Sequence, residues 1–363
     1  MTASTTSKRR KVGIIGVGFG AAVHAPGFRS EGWDVAAICS RSREKAHKAA
    51  TELGIADVYT DPFALLQCDD LDAVAIITPP VAHHALAVAA LEAGRHVMCE
   101  KPFAMDVKQA RSMAAAADRS GCTAMVAHEF RHTPQRAYIR ELLDEDYVGT
   151  FRLCTIELFL DRYVTPQPRA LSWMAYEAEG GGLLGALGSH YIDALRYWFG
   201  EVATVSGTLS GLRPDVKDAV TGKMAKADTD DTFTMMLTFR NGGMATMIAS
   251  FATTPSRGAK IVVMGDRGTL IAEQSGPNPM EDGVVVASRD GSPLQALPTP
   301  GRYTPFTDAR DHRLMAFRLL VRDFTDGVER GTSPAPNFTD GLRCQEVLDA
   351  VRASSATGRT VNL

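Results

Sequence analysis

The chain has 363 residues, enough for one large or two ordinary domains, and its 45% hydrophobic and 22% charged content is that of a folded globular protein. Its 39 basic and 42 acidic residues leave a formal charge of −3, without the basic excess of a nucleic-acid binder. No apolar run is long enough to span a bilayer, and six scattered cysteines with no CxxC pair argue against a disulfide framework, so a cytoplasmic, thiol-reduced protein is expected.

Residues 1–10 read as a disordered polar tail. From residue 11 strands and helices alternate. "KVGIIGVG" is a continuous apolar strand ending in glycines, and a helix is expected over roughly Ala21 to Ser30. "WDVAAICS" is a second strand, and "REKAHKAATELG" a helix that stops at Gly54. "DAVAIITPP" is a buried strand closed by two prolines, followed by the apolar helix "VAHHALAVAALEAG". "HVMCEKP" is the next strand, "DVKQARSMAAAADRSG" a helix, and "TAMVAHEF" a further strand. Apolar strands spaced by helices of about three turns imply a doubly wound parallel sheet with helices on both faces, a Rossmann-type domain over residues 11–130.

The pattern then changes. "FRLCTIELFLD", "ATVSGTLSG", "DTFTMMLTFRNGGMATMIASF" and "AKIVVMGDRGTLIAE" are strand-like and joined by short turns. The Asn-Gly step in "FRNGGMATM" is a hairpin signal. Residues 131–363 therefore read as a second α/β domain with a large, mostly antiparallel sheet and a few helices, among them "LGSHYIDALRYWFG" and "DGLRCQEVLDAVRASSATG".

The stretch "GIIGVGFGAA" places Gly16 and Gly18 directly after the first strand, with Phe19, Gly20 and Ala21 completing the turn. Gly16 permits the tight turn, Gly18 lets the backbone approach a pyrophosphate, and Ala21 lets the helix pack on the strand. This position, at the first strand-to-helix crossing, is the context that a dinucleotide site requires. A cofactor lacking a 2′-phosphate usually meets an acid at the end of the second strand; here "CSRSREK" offers Ser40 and then Arg41. A carboxylate that would repel a phosphate is missing, and Arg41 can form a charge-assisted fork to one, so NADP(H) is expected over NAD(H).

Four segments occur in one order: "GIIGVGFGAA", "AIITPPVAHHALAVAALEAGRHVMCEKPFA", "GGGLLGALGSHYIDALRYWFGE" and "DGLRCQEVLDAVRASSATGRTVNL". Together they resemble the Gfo/Idh/MocA oxidoreductases, from about residue 11 to the C-terminus. The resemblance implies a Rossmann domain followed by an α/β domain with a large open sheet, and assembly as a homo-dimer or tetramer through that sheet. It implies an NAD(P)(H)-dependent oxidoreductase that moves hydride between nicotinamide and a hydroxyl or keto carbon of a sugar, inositol or related polyol. Thr78, Pro79 and His83 match the segment that passes the cofactor, and Glu100 and Lys101 match the Glu-Lys-Pro motif. Lys101 takes the catalytic lysine position, with an ammonium that donates to the substrate oxygen as charge develops there. Glu100 orients that amine or meets the nicotinamide ribose, and Pro102 helps fix the backbone.

The other half of the expected site comes from "GGGLLGALGSHYID". Many relatives carry an aspartate four residues before the histidine; this chain has Ala186 there, and His190 is kept with Asp193 three residues on. Two readings stand. In one His190 handles the proton with Lys101 assisting; in the other His190 positions substrate and Lys101 carries the proton. Arg131, Tyr163, Arg169 and Trp173 are further candidates for meeting substrate, with Asp193. The resemblance implies that the Lys101 amine and the His190 imidazole converge beside the nicotinamide. No metal is expected, because the histidines have no zinc-like spacing. Two rivals use the same fold. One acts on a different carbonyl compound, and the other is a non-catalytic regulator that senses NADP(H).

Overall fold

A computed structural model describes residues 9–164, 171–213, 215–218, 222–274 and 284–363. The chain forms two compact units. The first takes in residues up to 103, then 108–127 and 308–341; the second takes in 104–107, 128–307 and 342–363.

The first unit is built on six parallel strands: β1 (Lys11–Ile15), β2 (Asp34–Cys39), β3 (Asp57–Tyr59), β4 (Ala73–Ile76), β5 (His96–Cys99) and β6 (Ala124–Val126). Their order is β3-β2-β1-β4-β5-β6. Val12, Ile14, Ala73–Ile76 and Val97–Cys99 are buried, as strands covered on both faces must be. The order reverses between β1 and β4, so the crevice for a ligand lies at the carboxyl ends of those two strands. Gly16, Ser40, Thr78 and Glu100 each stand within two residues of a strand end along that edge.

Two elements differ from their sequence reading. The helix expected from Ala21 opens instead with a wider turn, Gly20–His24, bonded five residues apart, before the α-helix Ala25–Ser30. Pro26 has no N–H to donate back to Ala22, so a regular α-ladder cannot run through this point. The strand expected in "TAMVAHEF" is only three residues long, and a 3-10 turn, Glu129–His132, follows.

The returning segment completes the first unit's core. Its helix, Leu314–Arg330, sets Phe317 and Phe324 against Phe28, with ring centroids 6.1 Å apart in each pair, and Phe324 also lies 5.7 Å from Trp33. The Trp33 indole N–H donates to Thr325 Oγ1 at 2.8 Å, and Glu31 binds Arg318 and Arg322, each at 2.6 Å.

The second unit carries a nine-stranded sheet of β7 (Phe151–Phe159), β8 (Val202–Ser210), β11 (Thr232–Phe239), β12 (Met244–Ser250), β13 (Gly258–Gly265), β14 (Gly268–Gln274), β15 (Val285–Arg289), β16 (Gln295–Leu297) and β17 (Val361–Asn362). The short strands β9 (Val216–Lys217) and β10 (Met224–Ala225) pair separately. The order is β16-β15-β14-β13-β7-β12-β11-β8-β17, and all neighbours are antiparallel except β7 and β12. One face, with Ile156, Leu158, Phe233, Met235, Met247 and Val263, packs in a core shared with Tyr191, Leu195 and Val351. The opposite face bears Thr155, Glu157, Thr234, Met236, Thr246 and Ile248, half-buried or exposed. This alternation is the period-2 signal that the sequence carries.

Gly16 has φ +121°, and an added Cβ would fall on the Ile77 carbonyl, 2.7 Å from its carbon. Backbone strain and overlap together predict that Gly16→Ala costs on the order of 2–4 kcal/mol. The measurement is the urea midpoint at unchanged m value; an unaltered midpoint would mean that the turn yields cheaply.

Candidate functional site

In the first unit, the glycine turn sits on the carboxyl edge of the sheet. The Gly16 N–H donates to Cys39 O at 2.9 Å, which ties the end of β1 to the end of β2. A Cβ on Gly18 would meet nothing within 4 Å, so this backbone faces open space. A Cβ on Gly20, by contrast, would reach Ile14 Cγ2 at 3.0 Å, because here the helix presses on β1. Phe19 is half-buried, with the Arg313 guanidinium 4.8 Å from its ring centre. An open backbone at the second glycine and a close-packed one at the third are what a pyrophosphate-binding turn needs. The residues present therefore fit a dinucleotide.

After β2 the chain makes a short polar turn. Ser40 Oγ accepts from Ser42 N–H at 3.3 Å, and Ser42 in turn caps the helix Arg43–Leu53 by accepting from Lys45 N–H. The cap leaves Arg41 on the surface. The residues directly after β2, Ser40, Arg41 and Ser42, carry no carboxylate.

After β4, Thr78 and Pro79 lead into a 3-10 turn, Pro80–Ala82, and His83 opens the helix His83–Glu92. His83 is fully buried. Its Nε2 lies 2.8 Å from Thr78 O, while Nδ1 lies 3.1 Å from Pro102 O and 3.3 Å from Phe103 O. Burial pushes its pKa below the ordinary imidazole value, while the three carbonyls around the ring pull the other way. His83 thus bears on this edge through the backbone of Thr78 and of the segment after Lys101, not through an exposed ring.

After β5 come Glu100 and Lys101, and the Lys101–Pro102 peptide is cis. Glu100 is 6% exposed. Its Oε1 lies 2.8 Å from His24 Nε2, and its Oε2 accepts from the Lys101 N–H at 3.2 Å. Burial alone raises this carboxyl's pKa, but the His24 hydrogen bond and the Lys101 ammonium outweigh it and hold the pKa below its usual value. Glu100 is therefore a carboxylate. The sequence reading did not single out His24. The one available signal was a polar residue inside the apolar run "AAVHAPGF", three places after the glycine motif.

In the second unit, the run "LLGALGSHYID" forms a wider turn, Leu184–Gly188, and then the helix Ser189–Phe199. His190 is 1% exposed and stacks on Phe130, with centroids 3.7 Å apart and planes 9° from parallel. The ring of His128 stands edge-on to His190 at 5.5 Å. Ala186 is buried. Arg131 and Asp193 hold each other in a two-pronged buried pair, at 2.7 Å and 2.6 Å. Burial raises the Asp193 carboxyl, but the Arg131 guanidinium, helped by His128, brings it below the usual carboxylate range. Tyr163 is half-buried, its ring 5.7 Å from that of Phe251 and 4.8 Å from the Arg213 guanidinium. Trp173 is half-buried at the start of a 3-10 turn, Trp173–Ala175. Arg169 lies outside the described residues. Among the described residues, no three His, Cys, Asp or Glu side chains are grouped to hold a metal ion, and no helix is long and apolar enough to cross a membrane.

The first unit is thus a dinucleotide-binding domain of an oxidoreductase. Two family models place it further. One, described as "Oxidoreductase family, NAD-binding Rossmann fold", matches residues 10–128, and its companion, "Oxidoreductase family, C-terminal alpha/beta domain", matches 140–363. The chain belongs to the Gfo/Idh/MocA oxidoreductase family. It is 28% identical to an uncharacterized oxidoreductase of Synechocystis, sll0816, over 96% of this chain and 94% of that one. It is 27% identical to D-apiose dehydrogenase of Paraburkholderia graminis, over 99% and 91%. The crystal structure of an oxidoreductase domain protein from Kribbella flavida superposes with a TM-score of 0.86 at 27% identity, covering 98% of this chain and 99% of that one.

Removing Arg131 would strand a buried carboxylate. Arg131→Leu is expected to cost about 3–5 kcal/mol at pH 7. The sign with pH follows from the lowered pKa of Asp193: the pair's stabilisation is complete above the ordinary aspartate range and fades as pH falls through the lower folded value. In the variant the stranded carboxyl protonates more readily, so the gap between variant and wild type should narrow toward about pH 4. Urea midpoints at the two pH values check this; a gap independent of pH would mean that the pair's charge is not what stabilises.

Proposed function

We propose that this chain is a dehydrogenase of a sugar or related polyol, with NADP(H) as its preferred cofactor. The observation that carries the reading is the fixed Glu100–Lys101 step at the end of β5, on the same strand edge as the open backbone of Gly18. When bound, the dinucleotide supplies or takes up the hydride. Gly16, its own N–H taken by Cys39 O, permits the turn, and the backbone of Gly18, Phe19, Gly20 and Ala21 with the helix start holds the pyrophosphate end. Thr78, Pro79 and Glu100 flank it at the neighbouring strand ends. In reduction the Lys101 ammonium donates a hydrogen bond to the carbonyl oxygen and passes its proton to it as hydride reaches the carbon; in oxidation the neutral amine takes the hydroxyl proton as hydride leaves. Within the second unit, the ring plane of His190 is set by its stack on Phe130. The sugar class is supported by the likeness to D-apiose dehydrogenase.

The cofactor preference rests on Ser40 and Arg41. The residues that follow β2, Ser40 to Ser42, include no acid, and the exposed Arg41 supplies a two-pronged donor. Arg41→Ala should lower kcat/KM for NADPH by about tenfold and leave that for NADH within about threefold. A wild type that favours NADH, or an equal loss with both cofactors, would remove the preference.

A panel of aldoses, ketoses, inositols and D-apiose, followed by nicotinamide absorbance, tests the activity. With any substrate found, Lys101→Ala should lose about two orders of magnitude in kcat with little change in cofactor affinity. Near-normal turnover would take Lys101 out of the chemistry.

A further inference from the structure

His24 is 0% exposed, yet nothing about its packing calls for an imidazole. Its ring lies 4.2 Å from that of Phe317, 5.6 Å from Phe19 and 6.5 Å from Phe28, centroid to centroid. A phenylalanine would fill that place with no polar atom to satisfy. Burying a ring nitrogen among aromatics costs free energy unless it is hydrogen-bonded, and here only one nitrogen is: Nδ1 has no partner among the described residues. What the histidine supplies is the bond from Nε2 to Glu100 Oε1. Glu100 is a carboxylate and accepts, so Nε2 carries the proton and donates. The other carboxylate oxygen, Oε2, accepts from the Lys101 N–H.

We propose that His24 is a positioning residue that acts through Glu100, linking the dinucleotide turn to the backbone of Lys101. The inference deepens the dehydrogenase reading and rests on it for the role of the lysine. His24 closes the Gly20–His24 turn, and Glu100 and Lys101 close β5, 76 residues further on. The carboxylate is a strut between these two elements: one oxygen is held from the turn, the other from the residue that bears the amine. On the far side of the same step, His83 Nδ1 lies 3.1 Å from Pro102 O and 3.3 Å from Phe103 O. The lysine backbone is therefore held at its own N–H, and its amine starts from a fixed root.

The full-length protein tests this with His24→Phe, which keeps the ring and loses the donor, and His24→Gln, whose amide can still reach Glu100. Deuterium exchange at the Lys101 amide reads the strut directly, with or without turnover. The expected result is exchange about tenfold faster in His24→Phe and within about threefold of wild type in His24→Gln. With a sugar that the wild type oxidises, kcat should fall about tenfold in His24→Phe while the NADPH dissociation constant stays within about threefold, and His24→Gln should restore it. In a Glu100→Gln background the same substitution should cost less than about twofold more, because the two residues act as one unit. Unchanged Lys101 exchange in His24→Phe, or a full additional loss on top of Glu100→Gln, would overturn the proposal. If His24→Phe does not fold, His24→Asn replaces it, since its shorter amide cannot reach Oε1; wild-type exchange there would equally overturn it. A wild type that reduces or oxidises nothing on the panel would sink the dehydrogenase reading, and the exchange measurement would still decide the link.

Discussion

Where β1 stops, its backbone is clamped between two neighbours, and the rest of the first unit's edge is set by that clamp. Gly16 bonds to the last carbonyl of β2 while its α-carbon rests against the carbonyl of Ile77. Only a residue without a side chain fits, at a positive φ that other residues adopt at a cost. Because three strands meet at this one α-carbon, the positions of Ser40 and Thr78 relative to the glycine turn are not adjustable. β5 is held in turn by β4, which brings Glu100 and Lys101 to the same edge. A packed sheet edge is thereby turned into a set of fixed donors and one fixed amine root.

Two buried carboxylates each have a charged or donor partner close by. Glu100 has His24 and the Lys101 N–H; Asp193 has the Arg131 fork. Such groups stabilise little compared with apolar residues of the same size, but they permit only one arrangement. Both glycine-rich helix starts, Gly20–His24 and Leu184–Gly188, also take the wider turn with five-residue bonding. Turns of this kind often stand beside functional residues, and here they lead into His24 and His190.

The parts of this layout that depend on local rules were legible in the sequence. Alternation in "DTFTMMLTF" and "GMATMIASF" reads directly as a sheet with one buried face, and the glycine turn declares itself because its glycines stand at the end of an apolar strand. Glu100, Lys101 and His190 stand out in the sequence only through motifs. Pairings between distant residues were not legible. Nothing in composition or period joins His24 to Glu100, or Arg131 to Asp193, which are 62 residues apart. Arg131 and Asp193 were read as separate candidates for meeting substrate, and each proves to be the other's partner. The widened helix starts were hidden as well, because a proline near the start of a helix usually fits without disturbance; here the residues before it were already turning.

The return of residues 308–341 to the first unit has a consequence for how the molecule is made. Phe28 and Trp33 acquire Phe317, Phe324 and Thr325 as neighbours only when that late segment arrives. At ordinary rates of synthesis, on the order of 10–40 s separate the emergence of residue 130 from that of residue 341. For that interval the nascent parallel sheet carries an uncovered aromatic patch beside its nucleotide turn. The parallel sheet is thus made before its own cover, and its aromatic flank stays open to chaperones until residues 308–341 have been synthesised.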